Sequence, residues 1–69
     1  MLEMDAREIG KRLRTLRGAL TEQQAADKVG LSRSAWSQYE RGKRIPKDNI
    51  KIRISKVFGK GVSSLFFEF

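Results

Sequence analysis

Hydrophobic residues recur at helical spacing along this 69-residue chain, in stretches that end at glycines. In the first stretch, Ile9, Leu13 and Leu16 lie at i, i+4 and i+7 and therefore share one face of a helix. Asp5 precedes this stripe as a typical N-cap, and Gly18 follows it as a typical helix end. The pattern predicts a first helix between Asp5 and Gly18.

A second short helix is predicted between Thr21 and Gly30. Thr21 and Gln24 have the spacing of a capping box, in which each side chain bonds the other residue's backbone N–H. Ala25 and Ala26 are small, so another helix backbone is expected to approach this helix closely. Gly30 then supplies a residue that adopts positive φ easily, as helix ends commonly require.

A third helix is predicted from Arg33 to about Glu40, with Ser32 as its N-cap. Trp36 and Tyr39 are three residues apart and share a face. We interpret both rings as core residues rather than as stacking platforms for single-stranded bases. The opposite face is then polar and free of acidic residues; it carries Arg33, Ser34, Ser37, Gln38 and Arg41.

The fourth stretch is ambiguous, because Ile50 to Ile54 alternates between apolar and basic residues as a strand would. With Val57 and Phe58 included, the apolar residues fall at i, i+4, i+7 and i+8, as in a helix. We favour the helix, since a lone strand in a helical chain would have no partner. Ile52 is then half exposed or part of an interface.

No repeat, low-complexity tract or linker divides the chain, so residues 1–69 form one predicted domain. The last segment, residues 62–69, is expected to be a short helix or turn bearing Leu65, Phe66 and Phe67. The expected fold class is all-α, a compact bundle of five helices.

The chain is strongly basic, with 15 Lys and Arg against 8 Asp and Glu and a net charge of +7. Five cations and one acid lie between Arg33 and Lys47. This excess of positive charge favours a polyanionic partner. Nucleic acid is favoured over an anionic membrane, because no segment combines a long basic face with a continuous apolar face. The alternative is that the charge only keeps a small protein in solution.

The sequence contains neither Cys nor His, which excludes the usual zinc sites, thiol nucleophiles and imidazole bases. We therefore expect a binding protein rather than an enzyme, with no metal, no cofactor and no evident small-molecule ligand. The charged stretch from Met1 to Lys11 does not fit a signal peptide, and no apolar run is long enough to span a membrane. A cytoplasmic location is expected.

Three stretches of the chain together resemble the phage repressor and Cro type of helix-turn-helix domain, also called the XRE family. The matching stretches are Ile9-Gly10-Lys11-Arg12-Leu13-Arg14, Ala25-Ala26 with Val29-Gly30-Leu31-Ser32, and Tyr39-Glu40-Arg41-Gly42-Lys43-Arg44 with Pro46. The resemblance implies a lambda-repressor-like DNA-binding domain whose helix-turn-helix, residues 21–41 or so, is formed by helices 2 and 3.

The resemblance also implies roles for individual residues in binding double-stranded DNA. Bases would be contacted in the major groove by Arg33, Ser34, Ser37 and Gln38, of which Arg33 suits guanine and Gln38 suits adenine. Phosphates would be contacted by Arg41, Lys43 and Arg44, with help from the backbone N–H groups of the Gly42 turn.

Two features near the start of helix 2 depart from the family pattern. The loop Gly18-Ala19-Leu20 is about two residues shorter than in most members. Glu22 stands where many relatives have a Gln that meets a phosphate, and we expect Gln23 to substitute for it. The resemblance also implies a structural ion pair between Arg17 and Glu40, and both residues of this pair are present.

The implied function is that of a transcriptional regulator of prophage or mobile-element type, expected to be a repressor. It would act as a homodimer on an inverted repeat, because one such domain contacts only a few base pairs. A dimer surface is expected within residues 50–69, although the aromatic residues there would also suit the domain's own core. Its candidate residues are Ile52, Val62, Phe66, Phe67 and Phe69.

Two alternatives remain open from the sequence. A restriction-modification controller or an antitoxin would use the same DNA-binding domain, although no toxin-binding extension is visible. A protein-interaction domain that has lost DNA binding would explain the acid at Glu22, but Arg33, Gln38, Arg41 and Lys43 argue against it.

Overall fold

Five helices and one short pair of strands make up the computed structural model, which describes residues 2–68. The all-α, five-helix prediction is confirmed, and the strand pair adds a detail to it. In chain order the elements are β1 (Leu2–Glu3), α1 (Ala6–Arg17), α2 (Glu22–Val29), α3 (Arg33–Glu40), α4 (Asp48–Phe58), α5 (Val62–Phe66) and β2 (Phe67–Glu68).

The first three helices begin where the sequence predicts, because a polar side chain caps each N-terminus. Asp5 accepts a hydrogen bond from the backbone N–H of Glu8 at 2.9 Å. Thr21 and Gln24 form the complete capping box, with both bonds present at 2.9 and 3.0 Å. Ser32 accepts from the N–H of Ala35 at 3.1 Å. Each cap satisfies a donor that the helix leaves unpaired.

The core contains most of the residues that the helical stripes of α1, α2 and α3 predict, although Leu16 is only half-buried. Trp36 is fully buried, and its ring centroid lies 6.0 Å from that of Phe58 on α4. Tyr39 is buried as well, so the interpretation of both rings as core is confirmed. The remaining buried apolar residues include Met4, Ile9, Leu13, Ala25, Ala26, Val29, Ile54, Leu65 and Phe66.

The crossing of α1 and α3 is unusually close at Gly10. A Cβ added there would lie 2.2 Å from the backbone carbonyl oxygen of Glu40 and 2.9 Å from that of Tyr39. Both atoms belong to the backbone, so no side chain could rotate to make room. This contact fixes the C-terminal end of α3 against α1.

The helical interpretation of the fourth stretch is confirmed, but its buried face differs from the prediction. Ile54 is buried while Val57 is 40 % exposed, and Lys51 is only 3 % exposed. The Lys51 ammonium lies 5.0 Å from the ring centroid of Phe67 and 3.7 Å from an Asp48 carboxylate oxygen. Its aliphatic stem therefore fills a core position, and this burial lowers the pKa of Lys51.

The two ends of the described chain pair with each other. Leu2 faces Glu68 and Glu3 faces Phe67 in an antiparallel ladder. The N–H of Met4 donates to the Phe66 carbonyl at 2.9 Å, which extends this connection. Within residues 2–68, no helix is long and apolar enough to cross a membrane.

This arrangement corrects one residue of the predicted dimer surface. Phe66 is fully buried within its own domain, because α5 turns its ring inward beneath α4. Ile52 is 49 % exposed, and Val62 and Phe67 are partly exposed. Phe69 lies outside the described residues.

Candidate nucleic-acid interface

The two helices α2 and α3 are joined by a turn of three residues. Gly30 adopts a left-handed conformation, with φ 79° and ψ 34°, and ends α2. The N–H of Leu31 donates to the Ala26 carbonyl at 2.9 Å, which satisfies one of the last carbonyls of the helix. Ser32 then caps α3. The predicted helix-turn-helix is thus formed by local hydrogen bonds.

The outward face of α3 is polar and lacks a carboxylate, as the sequence predicts. Arg33 and Ser34 are exposed, while Ser37 and Gln38 are partly exposed. The amide of Gln38 donates to the Ser34 hydroxyl at 3.4 Å and accepts from Arg44 at 3.5 Å, and both of these contacts are long and therefore weak. A concavity of about 330 Å³ is lined by Arg33, Ser34, Ser37, Gln38, Arg41 and Lys43.

The loop after α3 holds the cations to which the family resemblance assigns phosphate contacts. Gly42 has φ 72°, which allows the chain to turn back so that the N–H of Lys43 donates to the Gln38 carbonyl at 2.9 Å. Arg41, Lys43 and Arg44 are all exposed. The N–H of Gly42 itself donates to the Tyr39 carbonyl at 3.2 Å. These two N–H groups of the turn are therefore used within the protein, and the phosphate contacts of Gly42 and of the three side chains stay predictions.

Glu40 is turned away from this face and holds α3 to α1. Arg17 donates to both of its carboxylate oxygens, at 2.6 and 3.0 Å, so the predicted ion pair is present. The Trp36 indole N–H also donates to this carboxylate, and the side chain of Glu40 is 1 % exposed. The single acid of the basic segment is therefore a structural residue.

The contacts of Glu40 keep its carboxylate charged. Burial favours the neutral acid, but the hydrogen bonds from Arg17 and Trp36, with the charges of Arg17 and Arg14, outweigh burial and lower the pKa of Glu40. The hydrogen bond to Glu40, assisted by the nearby charge of Glu22, raises the pKa of Arg17. Glu22 thus adds to the electrostatics of this cluster.

The neighbouring Gln23 was expected to replace the missing phosphate contact. Its amide donates to an Asp27 carboxylate oxygen at 2.8 Å, one turn along α2. Gln23 is exposed. Its phosphate contact stays a prediction, and it would use the second amide hydrogen or a different rotamer.

A second basic surface beside α3 was not predicted from the sequence. Arg7, Lys11 and Arg14 on α1 line a concavity of about 390 Å³ together with Glu40 and Arg41. Their i, i+4, i+7 spacing was present in the sequence and could have indicated a shared face. Only the packing of α1 against α3 shows that this face adjoins Arg41.

Comparisons with known proteins agree with this geometry. A family model described as a helix-turn-helix domain matches residues 8–59. The structure is similar to the restriction-modification controller protein C.AhdI from Aeromonas hydrophila, with 30% sequence identity and a TM-score of 0.81. That similarity covers 90% of this chain and 93% of the controller.

A second solved structure shares the fold. The clp gene regulator ClgR from C. glutamicum has a TM-score of 0.78 and 20% identity, over 90% of this chain and 83% of ClgR. No curated protein sequence shows significant similarity to the chain. The predicted resemblance is confirmed: the chain belongs to the helix-turn-helix domain family and has the fold of DNA-binding transcriptional regulators.

Proposed function

We propose that this protein regulates transcription by binding a specific double-stranded DNA sequence, with α3 placed in the major groove. The observation that carries the proposal is the polar, acid-free outer face of α3, which borders a row of exposed cations. A groove that presents base edges between two phosphate backbones matches this combination. The protein would act in the cytoplasm, where bacterial DNA lies.

Within this proposal, the residues divide into two roles. Arg33 and Gln38, with Ser34 and Ser37, contact base edges and provide sequence preference. Arg41, Lys43 and Arg44 contact phosphates, which supply salt-dependent affinity and fix the orientation of the domain.

Selection of bound duplexes from a random DNA pool tests the proposal directly. Enrichment of a defined sequence is the expected result, whereas a pool without enrichment would contradict base recognition by α3. With the selected site in hand, Arg33→Ala should reduce discrimination at one base pair by about 1–3 kcal/mol. Lys43→Ala should instead weaken binding to all sequences about equally, and serves as the matched comparison.

We further propose that the protein binds as a homodimer to an inverted repeat. Two half-sites about one helical turn apart would double the number of bases contacted. The candidate contacts between copies are the exposed Ile52 on α4 and the partly exposed Val62 and Phe67.

Ile52→Glu is expected to convert the dimer to a monomer without a large change in folding stability, because the side chain is already 49 % exposed. Analytical ultracentrifugation and binding to one-half-site and two-half-site duplexes measure this. Val57→Glu is the control, since Val57 is also an exposed apolar residue of α4. It lies about 140° around the helix axis from Ile52. Equal effects of the two substitutions would contradict the assigned surface.

A restriction-modification controller is the second candidate, favoured by the similarity to C.AhdI over nearly the full length of both chains. The DNA contacts would be the same, so the operator's position distinguishes the two. A selected site upstream of genes for a methyltransferase and an endonuclease would favour the controller. A site among prophage or mobile-element genes would favour a phage-type repressor.

A further inference from the structure

The outer face of α1 carries a row of cations that the proposed base and phosphate contacts do not use. Arg7, Lys11 and Arg14 follow one another at helical spacing and are all exposed. They line a concavity of about 390 Å³ whose other walls are Glu40 and Arg41. Four cations therefore surround a single carboxylate.

That carboxylate does not neutralise the row, because other residues already occupy it. Both oxygens of Glu40 accept hydrogen bonds from Arg17, and Trp36 donates to one of them. The Arg14 guanidinium is 3.7 Å away and 67% exposed. Within residues 2–68, neither Arg7 nor Lys11 forms an ion pair.

This row is continuous with the proposed DNA-binding surface. Arg41 lines both this concavity and the one in front of α3. The loop at Gly42 packs directly on the first turn of α1, where an added Cβ would lie 3.2 Å from the Cα of Arg7. The cations of α1 and those of the loop therefore form one basic surface that bends around the end of α3.

We infer that Arg7, Lys11 and Arg14 form a second phosphate-binding surface, which contacts the DNA backbone beyond the phosphates held by Arg41, Lys43 and Arg44. This inference rests on the proposed function, since it extends the same site. A row of exposed cations, of which Arg7 and Lys11 form no ion pair within residues 2–68, suits a repeating anion. Each phosphate contact would release counterions from the duplex. α1 thereby lengthens the footprint of the domain without contributing to base discrimination.

The salt dependence of DNA binding tests this surface. We would measure affinity between 50 and 200 mM salt on a duplex that extends about one helical turn beyond the selected site on each side. The variant is Arg7→Gln with Lys11→Gln, in which glutamine at position 7 keeps the Cγ that lies next to Gly42. The matched control is Lys28→Gln with Lys56→Gln, which removes two exposed charges from other faces.

In the α1 variant, we expect the slope of log affinity against log salt to become shallower by about 1.8, which is about 0.9 for each of the two charges removed. If the curves meet near 1 M salt, this corresponds to about 60-fold weaker binding at 0.1 M. The preference for the selected site over a scrambled one should stay unchanged, and the control should keep the wild-type slope. Adding Arg14→Gln to this variant should make the slope shallower by about a further 0.9.

An unchanged slope in the α1 variant would overturn the inference. An equal decrease of the slope in the control variant would also overturn it, because the effect would then depend on the net charge of the protein and not on the position of the cations. Thermal unfolding of each variant establishes that the compared proteins are folded. Failure of the proposed function gives a different result, because the wild type would then bind selected and scrambled duplexes equally. The slope comparison would still measure the contribution of α1.

Discussion

Gly10→Ala is expected to lower the free energy of unfolding by about 3 kcal/mol, at the upper end of ordinary overpacking effects. The new methyl group would lie 2.2 Å from the Glu40 carbonyl oxygen, so α1 and α3 would have to separate. Alanine favours a helix over glycine by about 1 kcal/mol, which offsets only part of this loss. Chemical denaturation measures the change, and the midpoint of thermal unfolding should fall by about 15 °C.

Gly61→Ala provides the control for this substitution. Gly61 has φ −69°, and an added Cβ would meet only the Ser64 hydroxyl at 3.7 Å, an ordinary contact. Its stability should change by no more than about 0.5 kcal/mol. A Gly10→Ala protein as stable as the control would show that the two helices are less closely packed than described.

Glu40→Ala is expected to destabilise the fold by about 3 kcal/mol. The substitution leaves Arg17 without its partner and the buried Trp36 N–H without an acceptor. Arg17 keeps some exposure, which places the loss at the lower end of the range for broken buried pairs. Glu8→Ala is the matched control, because Glu8 pairs with Arg12 at 3.6 Å on the surface and should contribute less than about 1 kcal/mol.

The same pair should make stability depend on pH in a defined direction. Because folding lowers the pKa of Glu40 below its ordinary 4.5, its contribution is complete above that value and is lost as the pH falls through the folded-state pKa. Chemical denaturation measured from about pH 3 to about pH 7 should show that the free energy of unfolding falls less at acid pH in Glu40→Ala than in the wild type. Parallel curves for the two proteins would argue against a structural carboxylate.

Much of the fold was predictable because its determinants are local. The capping residues Asp5, Thr21 and Ser32 each bond a residue three positions ahead, so short sequence patterns contain the complete interaction. Helical spacing placed Trp36 and Tyr39 on one face, and their size and apolar character favoured the core, where both are buried. The outward set of polar residues on α3 was then determined by geometry.

The errors occurred where the partner lies far away in the chain. Val57 fits an apolar stripe but is exposed, whereas Lys51 interrupts that stripe and is buried. A lysine stem can pack as well as an aliphatic side chain when its ammonium lies near aromatic rings, here those of Phe66 and Phe67. Phe66 could have suited a core or an interface, and only the turn of α5 decided between them.

The sequence by itself determined the number of helices, the helix-turn-helix, the ion pair implied by family resemblance and the acid-free face of α3. Only the tertiary structure decided which cations share a surface, because Arg7 and Arg41 adjoin through the close packing of α1 on the end of α3. That packing depends on the absence of a side chain at Gly10. Helix formation depends on neighbours a few residues apart, whereas the shape of the binding surface depends on contacts between residues separated by thirty or more positions in the chain.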